Sequence, residues 1–365
     1  MDTAKDLVGR AASSTRRSLA GAVIGALSAR LSGLPVGIAI GFSPWKEGFT
    51  RKLFRDDRLL FVDHPRAFRI ARKLLGGSAV RVVIWSLADE AAGFRPSDFV
   101  GCEVLRLEDD FVRSLGRGID RAPPWSLCLD RTGLCFDAGH PSDLETLCNE
   151  LPEEERVVAE VEQALDRLKR SSISKYNLAG HSGRRSVPSH VPGSVLVLGQ
   201  VEDDQSILRN TNAISTNRGL LERAIAERPG RRILFKQHPD CLGSPCRKGR
   251  VDVAALTGVE EIDPAVAIGD AIDAVDIVYT ISSLGGFEAL LRGKEVVTFG
   301  APFYAGWGLT RDHVAFPRRR RTLTVRQLFH AAYILYPIYF DPHSGRRMTL
   351  TEVMDRFSRD MSGAD

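Results

Sequence analysis

The chain has 365 residues, of which 43% are hydrophobic and 26% are charged, and its formal net charge is +4. This length favours two domains, and the composition is that of an ordinary globular protein. So small a positive charge does not favour a nucleic-acid partner. The six cysteines include no CxxC pair, which gives no zinc signature and fits reduced thiols in the cytoplasm.

Residues 1–35 are predicted to form an N-terminal appendage. Its apolar run, residues 19–27, follows Arg16 and Arg17 and is too short to span a bilayer. No small-x-small cleavage site follows the run, so a disordered or amphipathic helix is expected and not a signal peptide. Such a segment would permit weak contact with an anionic membrane surface.

Strands and helices alternate from residue 36 to residue 180. Short apolar runs predict five strands in this region, at 37–42, 59–62, 80–85, 104–107 and 126–129. A further apolar run at 134–137 is separated from the last strand by Asp130-Arg131-Thr132-Gly133, which predicts a hairpin. Ser142 and Glu145 form a capping box that begins a helix.

A second alternating region follows a linker that is rich in Ser, Gly, His and Pro, residues 171–193. Its strands are predicted at 194–198, 232–236, 271–279 and 295–299. The whole pattern predicts an α/β fold with two Rossmann-like, doubly wound domains, 36–180 and 181–315. Ligands are expected in an interdomain cleft at the carboxyl ends of the strands. Residues 316–365 are expected to form a basic, helical tail that packs back on the first domain.

The segment 280–310 predicts a phosphate site. Ser282, Ser283 and Gly285 follow a strand and begin a helix, whose first N–H groups have no backbone partner and can hold a phosphate. Glu288 lies one turn inside this helix. Its carboxylate could bind the ribose hydroxyls of a nucleotide or merely complement the helix dipole.

Three more polar clusters follow predicted strands. Glu108-Asp109-Asp110 suits acid–base chemistry or an acidic helix cap. Glu202-Asp203-Asp204, just after Gln200, could face a cation-like transition state or form a solvated turn. In the third cluster, Pro239 restricts the backbone of His238 and holds the imidazole at the strand end. There the imidazole could donate to a leaving phosphate, and Lys236 ends the same strand.

Two clusters near the end of the second region have a structural and a functional interpretation. Residues 302–308, which include Trp307, are aromatic and rich in glycine, and could plug the core or line a base or sugar site. The run from Arg318 to Arg321 is usually a solvated loop. A sharper interpretation is contact with an anionic acceptor or with membrane headgroups.

Taken in order, these motifs resemble those of the bacterial capsule polysaccharide biosynthesis proteins, specifically the retaining β-Kdo transferases that use CMP-Kdo. The resemblance covers roughly residues 36–345 and rests on GFSPWK, LEDDFVRSLG, SLCLDRTGLCFD, KYNL, GQVEDDQSI, KQHPD, SSLGGFEALLRGK and PFYAGWGLTRD. It implies a GT-B fold in which the second domain holds most of the nucleotide. It also implies a glycolipid or saccharide acceptor, a cytoplasmic location, and an inner-membrane surface and a capsule assembly complex as candidate partners.

The resemblance also implies catalytic roles, because the motif logic is similar to that of bacterial sialyltransferases with an acidic, a His-Pro and a paired-serine motif. Glu108 and Asp109 occupy the acidic motif, and one of them would deprotonate the acceptor. Asp110 stands where such motifs usually have Gly. Asp204 matches the nucleophile of the retaining reaction, and His238 matches the residue that contacts the CMP phosphate.

The implied binding residues fall into two sets. Those expected at the nucleotide are Lys236, His238, Ser282, Ser283, Gly285 and Glu288. Those expected at the sugar or acceptor are Arg113, Gln200, Trp307 and Arg319. No cofactor or metal is expected, since CMP is a good leaving group. Two alternative functions stay open: a non-catalytic capsule export or assembly factor, and a GT-B transferase that uses another CMP- or UDP-sugar.

Overall fold

The computed structural model describes residues 19–30, 35–76, 80–116, 118–152, 159–171, 173–177, 188–210, 214–243 and 248–362. Of the predicted appendage, residues 1–18 and 31–34 lie outside these ranges, as do residues 178–187 of the predicted linker. The chain divides into two compact units. The first comprises Met1–Thr132, Ser174–Asn177 and Pro337–Arg359, and the second comprises Gly133–Ile173, Leu178–Tyr336 and Asp360–Asp365. Residues 133–173 therefore group with the second unit, although the predicted boundary assigns them to the first domain.

The strands in the described residues are β1 Val36–Ile40, β2 Arg58–Val62, β3 Arg81–Trp85, β4 Glu103–Asp109, β5 Ser114–Leu115, β6 Ser126–Asp130, β7 Tyr176–Asn177, β8 Val195–Leu198, β9 Ile233–Lys236, β10 Val259–Glu261, β11 Ile277–Thr280, β12 Glu295–Thr298, β13 Arg311–Asp312, β14 Pro337–Phe340 and β15 Arg347–Met348. Most are short apolar runs, as expected for strands that are covered on both faces.

The α-helices in the same residues are α1 Leu19–Arg30, α2 Pro44–Leu53, α3 Pro65–Leu74, α4 Ala88–Ala91, α5 Asp143–Glu150, α6 Ala159–Arg170, α7 Gln205–Leu208, α8 Asn217–Glu227, α9 Pro239–Gly243, α10 Ile268–Asp273, α11 Leu284–Leu291, α12 Val325–Phe329 and α13 Leu350–Ser362. A π-helix, His330–Leu335, continues α12. None of the helices in the described part of the chain has both the length and the apolar composition needed to cross a membrane.

The first unit contains a seven-stranded sheet in the order β15-β14-β6-β4-β3-β1-β2, in which β1 to β4 are parallel. Helices cover both faces of this part of the sheet. On one face, α1 and α3 bury small and aromatic side chains, including Ala26 and Phe68. On the other face, α2 buries Phe49 and Leu53. The tail returns to this unit because β14 pairs antiparallel with β6.

The second unit contains a six-stranded parallel sheet in the order β10-β9-β8-β11-β12-β13. Every residue of β8, β9 and β11 is buried. Parallel strands of this kind need crossover connections, and helices such as α8, between β8 and β9, supply them. The alternation of strands and helices predicted for both halves of the chain is present in both units.

Two local predictions are wrong. The predicted hairpin at residues 130–133 does not form, because residues 134–137 contain no strand and β6 instead pairs with β4 and β14. The strand predicted over 271–279 starts later, at Ile277, because its first residues belong to α10. The capping box before α5 is confirmed in part, since the Ser142 hydroxyl accepts a hydrogen bond from the Glu145 backbone at 3.2 Å.

Candidate active site

Three neighbouring strands of the second sheet carry predicted site residues at their carboxyl ends. The strands β9, β8 and β11 are adjacent and parallel, so their carboxyl ends lie along one edge of the sheet. Lys236 ends β9 and His238 follows it, Gln200 follows β8, and Ser282 and Ser283 follow β11. The second unit thus brings these residues together where open α/β sheets bind ligands.

Gln200 fixes the position of the first serine. Its side-chain oxygen accepts hydrogen bonds from the Ser282 backbone N–H at 2.8 Å and from the Thr280 hydroxyl at 3.2 Å, and its Nε2 donates to Ser282 Oγ at 3.1 Å. The backbone of Gln200 is held in turn by Asn217, which accepts at 2.9 Å and donates at 2.7 Å. Gln200 therefore locks the end of β11 to the end of β8. Neither Thr280 nor Asn217 stands out in the sequence, because their partners lie far away in the chain.

The second serine begins α11 in a tightly packed turn. The Ser283 hydroxyl accepts from the Gly285 N–H at 3.2 Å, and the Ser283 N–H donates to Thr280 Oγ1 at 2.9 Å. The Tyr304 hydroxyl donates to the Ser283 carbonyl. A Cβ on Gly286 would lie 2.1 Å from that hydroxyl, so glycine is required for this packing. The positive end of the α11 dipole is therefore held in a fixed place.

Glu288 lies one turn inside α11 and is partly buried. Burial raises the pKa of its carboxyl to about 7, although the positive charge of Arg292 opposes this shift. The carboxyl makes no side-chain hydrogen bond within the described ranges, so its oxygens can accept from a ligand hydroxyl.

The turn after β9 orients the imidazole and anchors the lysine. His238 Nδ1 accepts a hydrogen bond from the Asp240 N–H at 3.2 Å, so the neutral ring carries its proton on Nε2. The Lys236 ammonium donates to the Pro264 carbonyl at 3.1 Å. Burial lowers the pKa of Lys236, against the opposing charge of Asp263.

The three acids after β8 have different surroundings. Glu202 accepts from the Asn217 N–H at 2.7 Å. Asp204 is exposed and caps α7, with Oδ1 accepting from the N–H of Ser206 at 2.9 Å and from its hydroxyl at 2.7 Å. Asp203 has a buried Oδ1 with no hydrogen-bond partner among the described residues. Asp204 is thus the member of this set that a ligand can most easily reach.

The other acidic cluster ends β4 in the first unit and is built around a buried cation. Arg113 is fully buried, and its Nε lies 2.7 Å from Asp109 Oδ1. The same guanidinium donates to Ser114 Oγ at 2.6 Å and to the Ala122 carbonyl at 3.0 Å. Glu108 Oε1 accepts from the Asp109 N–H at 2.8 Å. Asp109 is therefore held in an ion pair, and Glu108 is not held by Arg113.

Burial and the nearby charge of Asp109 raise the pKa of Glu108. A second cation, Lys46, also interacts with these two acids, and burial lowers its pKa to about 8 against their attraction. The Lys46 ammonium lies 3.2 Å from the centroid of the Trp85 ring, a cation–π contact. The sequence prediction did not give Lys46 a role, although its motif, GFSPWK, follows β1 just as the other clusters follow their strands.

The four residues predicted to contact sugar or acceptor are all buried, with 0%, 6%, 1% and 8% exposure for Arg113, Gln200, Trp307 and Arg319. Trp307 donates its indole N–H to the Phe303 carbonyl at 2.8 Å. These side chains are occupied by contacts within their own units. Their contact with sugar or acceptor stays a prediction.

The arginine run is also tied to its own unit. Arg319 lies 3.1 Å from Glu145 and donates to the Pro302 carbonyl at 2.6 Å, and Arg318 lies 2.7 Å from the same carboxylate. This pairing joins α5 to the segment after β13. The sequence could not predict it, because Glu145 lies far from the run along the chain. Within the described ranges, no group of three or more His, Cys, Asp or Glu is arranged to hold a metal ion.

Comparison with known proteins identifies relatives along most of the chain. Residues 181–339 match the family model described as "Capsule polysaccharide biosynthesis protein". The lipopolysaccharide-processing protein LpsZ of Rhizobium meliloti is 36% identical over 310 residues, which cover 84% of this chain and 70% of LpsZ. The capsule polysaccharide modification protein LipA of Neisseria meningitidis serogroup A is 36% identical over 307 residues, which cover 83% of this chain and 42% of LipA. The chain thus spans less than half of the length of LipA.

Two solved structures show the same fold. The β-Kdo 2,4 transferase of Thermosulfurimonas dismutans KpsC is 31% identical, with a TM-score of 0.73, and the match covers 88% of this chain and 97% of that one. The β-Kdo 2,7 transferase of the same KpsC is 29% identical, with a TM-score of 0.70 and coverage of 88% and 98%. These matches confirm the predicted α/β fold of the GT-B class. Together with the identity to LpsZ, they show that the chain belongs to the family of capsule polysaccharide biosynthesis proteins.

Proposed function

We propose that this protein is a retaining glycosyltransferase that transfers β-Kdo from CMP-Kdo to a glycolipid-linked acceptor during capsule or surface polysaccharide assembly. The similarity to the two KpsC Kdo transferase structures supports the sugar and the reaction class. The observation that carries the proposal is the convergence of Gln200, His238 and the Ser282–Ser283 pair at one edge of the second sheet. The enzyme would act in the cytoplasm, at the inner-membrane surface.

The second unit would hold the CMP moiety. Ser282, Ser283 and Gly285 offer hydroxyls and the positive end of α11 to the phosphate. The Nε2–H of His238 would donate to a phosphate oxygen as charge develops on the leaving group. The open carboxyl of Glu288 would accept from the ribose hydroxyls. Lys236, which ends β9, adds a positive charge to the same edge of the sheet.

Retention requires two inversions at the anomeric carbon. In the first, a carboxylate oxygen of Asp204 forms a bond to that carbon while the bond to the CMP phosphate breaks. Ser206 holds Oδ1 of Asp204, and Oδ2 makes no hydrogen bond within the described residues, which suits Oδ2 to the attack. In the second, the acceptor hydroxyl displaces Asp204 and gives up its proton to a base.

Glu108 is the better candidate for that base. Asp109 is neutralised by its contact with Arg113, whereas the carboxyl of Glu108 is not held in that ion pair. Burial and the charge of Asp109 raise the pKa of Glu108, and a base works best when its pKa lies near the working pH. Asp109, held by Arg113, would then keep a negative charge next to Glu108 and so help to keep the pKa of Glu108 raised.

The proposal is tested by incubating the protein with CMP-Kdo and a synthetic glycolipid acceptor and determining the product linkage by NMR. We expect CMP release together with a product that has the anomeric configuration of the donor. An inverted product would contradict the role of Asp204. Thermal-shift measurements with CMP, UDP and GDP would test the donor class separately. An absence of both turnover and CMP binding would favour a non-catalytic export or assembly factor.

A further inference from the structure

One face of the first unit exposes an unusual number of large aliphatic side chains. Ile24 and Leu27 on α1 are 68% and 49% exposed, Ile70 on α3 is 36% exposed, and Val100, just after the 3₁₀-helix Pro96–Phe99, is 70% exposed. These four are half of the exposed large hydrophobic side chains in the described part of the chain. Single exposed aliphatics are ordinary, but such a concentration on one layer marks an interaction surface.

The elements that carry these side chains form one layer. Both α1 and α3 pack on the same face of the first sheet through the cluster that includes Ala26 and Phe68. The Phe68 ring contacts the rings of Phe94 and Phe99 at 5.7 and 5.5 Å, which places the segment 94–100 beside α3. Because the inner sides of these elements share one core, their outer sides face the same way.

The composition of α1 supports this interpretation. Its sequence, LAGAVIGALSAR, contains no charged residue before Arg30. Its inner side is made of small residues such as Ala22 and Ala26, and the larger Ile24 and Leu27 point outward. A helix that is apolar on its outer side is expected against another apolar phase.

The same layer is strongly basic. Residues 64–76 and 94–101 contain five basic residues and one acid, namely Arg66, Arg69, Arg72, Lys73 and Arg95 against Asp98. Asp98 is already engaged, since Arg69 binds its carboxylate at 2.7 Å and Arg72 donates to its carbonyl at 2.9 Å. Arg66 and Lys73 are exposed and have no ion-pair partner within the described ranges. The layer therefore presents unpaired cations among aliphatic side chains.

We propose that this layer, the α1–α3 face, docks the protein on a bilayer that contains anionic phospholipids. Aliphatic side chains would enter the boundary between headgroups and acyl chains, and the long basic side chains would reach the phosphates. A lipid surface fits better than a protein partner for two reasons. The charge that remains after Asp98 is paired is positive, which suits anionic headgroups, and the exposed apolar side chains are aliphatic, which suits acyl chains. The proposal deepens the proposed function, since a glycolipid-linked acceptor lies in such a membrane.

Co-sedimentation of the full chain with vesicles tests the proposal. We expect binding to vesicles of phosphatidylcholine mixed with phosphatidylglycerol, little binding to pure phosphatidylcholine, and weaker binding as salt is raised. The double substitution Arg66→Gln/Lys73→Gln should lower partitioning roughly tenfold or more, because each cation near an anionic surface contributes to binding. Ile24→Ser/Leu27→Ser should cause a loss of about the same size.

Matched variants elsewhere on the surface serve as controls. Leu335→Ser removes an aliphatic side chain that is 46% exposed, and Arg218→Gln/Arg231→Gln removes two exposed basic side chains of the second unit. Both should bind vesicles as the parent chain does. Equal losses in the controls, or no binding of the parent chain to anionic vesicles, would overturn the proposal.

Two further measurements separate the alternatives. If light scattering shows that Ile24→Ser/Leu27→Ser changes the oligomeric state while vesicle binding is unchanged, the face is an interface between copies of the chain and the proposal fails. Transfer to a water-soluble acceptor should be unchanged in all these variants, since none alters the candidate active site. A protein that binds vesicles but transfers no sugar would retain the docking face and lose the proposed function.

Discussion

The chain contains the tripeptide Glu-Asp-Asp twice, once at the end of β4 and once in the loop after β8, and the two copies have different environments. In the first unit, the buried copy has Asp110 fully buried and Glu108 and Asp109 partly buried, and Asp109 pairs with the buried guanidinium of Arg113. In the second unit, Glu202-Asp203-Asp204 is stabilised by backbone N–H groups and by solvent at Asp204. The same three residues can therefore support different chemistry, because burial and neighbouring charge decide which oxygen keeps a proton and which can be reached.

The largest expected effect concerns the exposed copy. Asp204→Asn should lower the rate of CMP-Kdo turnover by a factor of about a thousand or more while leaving CMP affinity nearly unchanged, because the amide cannot form the covalent intermediate. The matched variant is Asp203→Asn, whose side chain has a buried oxygen and does not cap α7. Turnover and calorimetric CMP binding should be measured for both. If Asp203→Asn is the inactive variant, the nucleophile is Asp203 and the assignment of Asp204 is wrong.

The buried copy should respond through stability. Arg113→Met removes the cation that pairs with Asp109 and leaves this partly buried carboxylate with only the attraction of Lys46, which should cost about 3 kcal/mol in the free energy of unfolding. Urea denaturation measures this loss. Arg218→Met is the control, since Arg218 and its partner Glu222 are both exposed and such pairs contribute about 0.5 kcal/mol. Similar losses in the two variants would mean that the Asp109 cluster is not a buried charge site.

The third acid of the buried copy should give the protein a pH-dependent stability. Burial raises the pKa of Asp110 from 3.8 to about 6, and its Oδ2 has no hydrogen-bond partner among the described residues. The folded state thus holds this proton more tightly than the unfolded state does. The contribution is therefore fully present below the unfolded pKa and is lost as the pH rises through about 6.

As the pH rises from about 5 to about 8, the ionisation of Asp110 should lower the free energy of unfolding by roughly 1.4 kcal/mol. Asp110→Asn should remove this part of the pH dependence, whatever its effect on absolute stability, because the amide does not titrate. Unfolding free energies of both proteins at the two pH values provide the comparison. Parallel losses in the parent and in the variant would show that Asp110 is ionised throughout this range.

The local parts of this site follow from the sequence, and its long-range contacts do not. Short apolar runs predict β8, β9 and β12 to within a few residues, and they predict the end of β11 but not its start. The residues that follow these strands could therefore be placed at strand ends. The hairpin after Asp130 was wrong because β6 finds its partner in β14, near the other end of the chain. Pairing over such a separation leaves no local pattern.

The same limit applies to the charged and aromatic residues. Arg319 and Trp307 are residue types that are common in ligand sites. In the structure, Arg319 pairs with Glu145 and Trp307 is buried in its own unit. Which cation meets which carboxylate depends on the fold. A sequence shows that a residue can bind an anion, and only the structure shows that its partner is already within the protein.

The smallest expected effect concerns Gln200, which precedes the second copy and is held by neutral hydrogen bonds, whereas Asp109 of the first copy is held by an ion pair. Gln200→Ala removes two side-chain contacts to Ser282 and one to Thr280, so the phosphate-binding turn should lose its fixed position. We expect CMP affinity to fall several-fold, about 1 kcal/mol, as measured by calorimetry. The control is Gln237→Ala, since Gln237 is also buried at a strand end, but among the described residues its side chain bonds only to the Val251 backbone. It should lose stability and keep its CMP affinity. Equal losses of affinity in the two variants would mean that Gln200 acts through general stability and does not position the serine pair.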